Sequence, residues 1–155
     1  MCIHPAREGG LTKITCNKSI LAELNQTADG RSVVKRLREE HFPFAIPTAF
    51  MGKESSPDTD VVVAPVLEGE NATRFRLDLI QTGFDQVPEL WTSAKEWAVQ
   101  RFYELATCGR HTLTLQLNSG DILFGHNRNI LRARTPFDDA QRLLIRIRMS
   151  RANTP

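Results

Sequence analysis

Apolar and polar positions along this chain repeat with two periods, near two and near 3.6, and the switches between them mark out the elements. Residues 11–16 (LTKITC) alternate as a short strand. Asn17 or Ser19 is placed to cap a short helix over residues 20–25. A second helix is predicted over residues 32–41, where Val33, Val34 and Leu37 form one stripe with charges opposite. Pro43 stops it, because the residue before a proline is steered away from helical backbone. Residues 51–60 (MGKESSPDTD) read as an exposed loop. Residues 61–67 are β-branched and apolar, as in a buried strand. Residues 68–71 (EGEN) form a turn, and residues 73–80 read as the return strand of a hairpin.

The strongest helical pattern follows. Ser93-Ala94-Lys95-Glu96 has the form of a capping box, in which serine and glutamate satisfy free N–H groups of the first turn. Ala94, Trp97, Ala98, Phe102 and Leu105 then recur at helical spacing, and Gly109 closes the helix. Strands are predicted over residues 112–117, 121–124, 129–134 and 142–149. In the last of these, Leu143, Ile145, Ile147 and Met149 share one face, suited to a core. Arg142, Leu144, Arg146 and Arg148 share the other, suited to a polar cavity or solvent. Few helices and many short strands predict an α+β, mainly β fold: half a sandwich with two or three helices packed on one sheet.

Composition narrows the function. With 155 residues the chain has the length of a single domain, and 41% hydrophobic residues allow a real core. A net charge of +2 gives no case for nucleic acid or an acidic membrane as partner. Three widely spaced cysteines, Cys2, Cys16 and Cys108, speak for a reducing, cytoplasmic compartment and against a disulfide framework. Cys108, at a helix end, reads as a buried small residue. No apolar run reaches membrane-spanning length, and the first residues lack a signal-peptide core.

Candidate chemistry lies near the C-terminus. Arg128, Arg132, Arg134, Arg142, Arg146, Arg148 and Arg151 fall within one short region. Two readings stand: a solvated strand face, or an anion site whose guanidinium forks grip carboxylates. The four histidines, His4, His41, His111 and His126, show no metal-ligand spacing, and no nucleophile elbow, P-loop or dinucleotide fingerprint is present.

Three stretches carry a family resemblance. Pro5-Ala6-Arg7-Glu8-Gly9-Gly10-Leu11-Thr12 resembles "RPA-x-GG-x-T". Pro65-Val66, then Arg74-Phe75-Arg76 through Ile80, resembles "P-V … R-Y/F-x-R-x-x-I". The third runs from Gly120-Asp121-Ile122-Leu123-Phe124 and Asn127 to Ile130-Leu131-Arg132-Ala133-Arg134-Thr135-Pro136-Phe137-Asp138-Asp139. It ends at Arg142-Leu143-Leu144-Ile145-Arg146. The order is similar to that of the taurine dioxygenase class (TauD/TfdA-like) of iron(II)/2-oxoglutarate oxygenases. The resemblance implies a partial double-stranded β-helix, or jelly roll, lacking the N-terminal half of the family fold. It also implies a cofactor set of iron(II), held by two histidines and one carboxylate, and 2-oxoglutarate.

By this resemblance Thr12, Arg142 and Arg146 are the 2-oxoglutarate contacts. Arg146 lies fourteen places after position 132, where the family keeps its last iron-binding histidine. That position holds Arg132, a permanently protonated side chain with no lone pair to offer a metal. The H-x-D/E pair would precede the GG-x-T segment, before Met1. The expectation is therefore a degenerate oxygenase domain with no catalytic residues, no metal ligands and no resident cofactor, retaining a carboxylate pocket. Two alternatives stay open: an oxygenase completed by another chain or a missing segment, and a protein-interaction module. The expected partners are a small dicarboxylate and a second copy or complementing chain at exposed strand edges.

Overall fold

The computed structural model describes residues 1–47, 61–147 and 149. The predicted loop over residues 51–60 lies outside them, as do Arg148 and Arg151. The described chain is α+β. Its strands form a three-stranded sheet of order β7-β2-β8 and three two-stranded sheets, β1-β9, β3-β4 and β5-β6. These strands are β1 (Cys2–His4), β2 (Thr12–Cys16), β3 (Phe42–Ala45), β4 (Val61–Ala64), β5 (Leu67–Glu68), β6 (Ala72–Thr73), β7 (Thr112–Leu115), β8 (Ile130–Arg134) and β9 (Leu143–Leu144). The helices are α1 (Asn17–Leu24), α2 (Ala28–Glu39), α3 (Leu77–Gln86) and α4 (Ser93–Thr107). The chain divides into two compact units. Unit 1 holds the described residues of Met1–Ile14, Leu113–Gly125 and Arg132–Pro155; unit 2 holds Thr15–Thr112 and His126–Leu131.

Unit 2 contains the main apolar core. The α2 stripe behaves as its period predicts: Val33, Val34 and Leu37 are buried, against residues that include Ile20, Phe42, Ile80 and Phe102. The helix starts earlier than predicted. Thr27 is its cap, with Oγ1 accepting from the Gly30 N–H at 3.0 Å, and Asp29 and Arg36 complement the helix dipole at opposite ends. Gly30 is required there, since a Cβ would sit 1.9 Å from the Leu24 carbonyl oxygen. The first helix also starts earlier, with Cys16 at the cap position and no side-chain cap, so neither Asn17 nor Ser19 plays the predicted role.

Two further predictions in unit 2 are corrected. The return strand stops at Thr73, and α3 begins at Leu77. Phe75, Leu77 and Leu79 alternate like a strand, but Leu77, Ile80 and Phe84 form the helical stripe that packs into the core. The N-cap is displaced by one residue, and the capping box is not formed. Thr92 is the cap, accepting from the Lys95 N–H at 3.2 Å, and Glu96 instead accepts from the Trp91 indole. Within α4, Ala98, Val99, Phe102 and Leu105 are buried, Trp97 is exposed, and the helix packs chiefly on α2. The predicted strand over residues 61–67 is split into β4 and β5, and Val62 and Val63 are exposed. Cys108 is exposed as well.

Unit 1 is built on backbone pairing. Cys2 faces Leu144 and His4 faces Leu143 in an antiparallel pair, and Met1 and Ile145 exchange further bonds of 2.9 Å. Residues 121–124 form no strand; Cys2 N–H donates to Asp121 O, and Gly120 N–H, just before the segment, donates to Cys2 O. Of the strand predicted over residues 142–149, Leu143–Leu144 is strand. The predicted core face is not buried. Leu143, Ile145, Ile147 and Met149 are exposed, the last two at 79%. The Cys2–Leu144 register is the reason: it turns Arg142 and Leu144 toward Cys2 and Ala6, and a period of two sends their neighbours outward.

Candidate anion-binding site

The two segments with the most specific sequence pattern meet in unit 1. Gly9 and Gly10 both have positive φ, +67° and +62°, conformations that glycine adopts without strain. That turn lays the backbone against residues 135–136. Gly10 N–H donates to Pro136 O at 3.1 Å, Thr135 N–H donates to Leu11 O at 3.1 Å, and Leu11 N–H donates to Thr135 Oγ1 at 2.9 Å. A Cβ on Gly9 would lie 2.2 Å from the Pro136 oxygen, so the approach depends on glycine.

Arg142 closes over this junction. Its guanidinium donates to Gly10 O at 3.1 Å and lies 4.7 Å from the centre of the Phe137 ring. Arg134, from the end of β8, lies 5.4 Å from the same ring centre. One phenyl ring therefore carries two cations, and neither has a carboxylate partner among the described residues. Burial pulls the Arg142 pKa below its ordinary value, and the positive charge of Arg134 adds to the effect. An anion settling between them would relieve that repulsion. Asp139 does not serve: its carboxylate accepts from the Arg7 and Gln141 backbone N–H groups. Those bonds, Gln141 first, hold its pKa below the ordinary value.

The other predicted residues are placed as follows. Thr12 starts β2, partly buried, and its hydroxyl makes no hydrogen bond among the described residues. Arg132 is exposed on β8, the strand beside β2. Arg146 is exposed beyond β9. Arg132 and Arg146 each interact with other parts of the chain. The hollow beside Arg142, bounded by Cys2, Ala6, Gly10 and Leu144, has a volume of about 10 Å³. That is room for about one water molecule. Phe137 was missed as a platform; its signal is an aromatic ring three residues after Arg134 in the R-T-P-F run.

The model of the family described as taurine catabolism dioxygenase TauD, TfdA family matches residues 1–148. The chain belongs to the TauD/TfdA family. Comparison with curated proteins finds no match. In this TauD/TfdA chain, no group of three or more His, Cys, Asp or Glu side chains among the described residues is placed to hold a metal ion. Its histidines are committed elsewhere or exposed: His111 Nε2 lies 2.6 Å from Glu23 Oε2, and His4, His41 and His126 face solvent. The described residues do not fit the iron centre that the family implies. No helix among them is long and apolar enough to cross a membrane.

Proposed function

We propose that this TauD/TfdA domain assembles no iron centre from its own residues and keeps the carboxylate-gripping end of the family site. The reading rests on Arg132. A guanidinium has no lone pair for a metal, and its fixed charge at that position repels a divalent cation. The Arg134–Phe137–Arg142 arrangement supports the second half, since two cations without acidic partners among the described residues suit a carboxylate. Thr12 and Arg146 complete the proposed set for 2-oxoglutarate. We assign the strands of unit 1 to the family's double-stranded β-helix. Three free thiols support a reducing, cytoplasmic setting.

Two measurements test this. Anaerobic titration with iron(II) and 2-oxoglutarate is expected to give no metal-to-ligand charge-transfer band; a saturable band at one equivalent contradicts the proposal. Calorimetry with 2-oxoglutarate alone is expected to show weak binding that falls in Arg142→Ala and Arg146→Ala. Each lost charge-assisted bond is worth about 1.5–3 kcal/mol. Equal binding by native chain and variants removes the pocket.

One observation favours a second reading, an interaction module. Leu113, Ile122, Phe124, Leu143, Ile145, Ile147 and Met149 of unit 1 are all exposed. On this reading the chain self-associates, and sedimentation gives a mass that rises with concentration. A concentration-independent monomer excludes it.

A further inference from the structure

Unit 2 carries a groove of about 620 Å³ between α3 and the start of α4, within the size range of small-molecule sites. Trp91 and Trp97 line it, at 47% and 46% exposure, together with the buried Phe84. The charged side chains lining it are Asp85 and Glu96, both acidic. Neither has a cationic partner among the described residues. Among the described residues Glu96 Oε2 accepts from the Trp91 indole N–H, at 3.1 Å, which holds that ring against the carboxylate. Lys95, the nearest cation in sequence, spends its ammonium on the carbonyls of His41 and Leu90, both at 2.9 Å.

We propose that this groove binds a quaternary or methylated ammonium group. Exposed indoles are the strongest cation-attracting rings. A weakly hydrated organic cation uses both the rings and the carboxylates. A neutral apolar group would use only the rings, leaving two acidic charges facing it. A small metal ion would keep its water shell and gain nothing from the indoles.

The chain has two tryptophans, and both line this groove, so all of its indole emission reports on one place. The experiment titrates the full chain with choline chloride, with sodium chloride at the same ionic strength, and with 3,3-dimethylbutan-1-ol, the uncharged isostere of choline. A saturable change in emission is expected with choline alone. Trp97→Ala is expected to weaken choline binding about three- to fivefold. The pair Asp85→Asn and Glu96→Gln, both at exposed positions, is expected to abolish saturation with an unchanged far-ultraviolet spectrum. A trimethyl-lysine peptide, run beside choline, tells a protein side chain from a small molecule as the source of the cation. No saturable response to choline or to the peptide overturns the proposal. So does an equal response to the neutral alcohol, or undiminished binding in the double variant.

Discussion

At the scale of single residues, Glu23 is an acid of unit 2 held by two side chains. Its carboxylate meets His111 at 2.6 Å and Arg110 at 2.9 Å. The His111 hydrogen bond lowers its pKa from the ordinary 4.5; burial opposes this, and the Arg110 charge adds to the lowering. Because the folded chain holds the carboxylate ionised more firmly than the unfolded chain does, the unfolded state takes up the proton first as pH falls. The stabilisation is complete above the ordinary carboxylate range and is lost below 4.5, through the lower folded value. Glu23→Gln is expected to make the acid limb of stability against pH shallower, with urea midpoints at several pH values as the check. An unchanged slope refutes it. Glu23 was invisible as a contact in the sequence, because its partners Arg110 and His111 come from a segment that local patterning does not connect to it.

Among the elements, helix ends separate two readings that one residue divides. Thr92→Ala is expected to cost about 1 kcal/mol, and Ser93→Ala about 0.5 kcal/mol or less. Denaturant midpoints decide, and the reverse order restores the cap to Ser93. The elements legible in the sequence carried their own period: β2, the α2 stripe, the body of α4 and β8. Two of those misread depended on distant backbone. Residues 121–124 alternate like a strand but are bonded across at only one end. Residues 142–149 alternate too, and only the register with Cys2 decides which face turns in. The arginine face was legible as cationic, and Arg142 does lie by the Gly9–Gly10 turn. That the turn and Arg142 leave so small a hollow was not legible, because it depends on a side-chain hydrogen bond to Gly10.

For the whole molecule, the two units differ in what holds them. The main core cluster lies in unit 2, while the buried apolar side chains of unit 1 are Cys2 and Ala6. Amide hydrogen exchange is therefore expected to be slowest in α2 and α4 and faster across β1 and β9, since local opening follows the apolar contacts it breaks. Uniform protection would show that the units open together. Asn17, buried at the start of α1, adds an order in time. Its Nδ2 donates to Asn71 O at 3.0 Å and to Arg128 O at 2.9 Å, and its backbone N–H donates to Asn129 O. A ribosome releases residues 126–131 long after the helices. Until they arrive, the nascent helical layer holds a buried amide with its bonds incomplete, so the last turn of unit 2 locks only when the C-terminal strands are already being made.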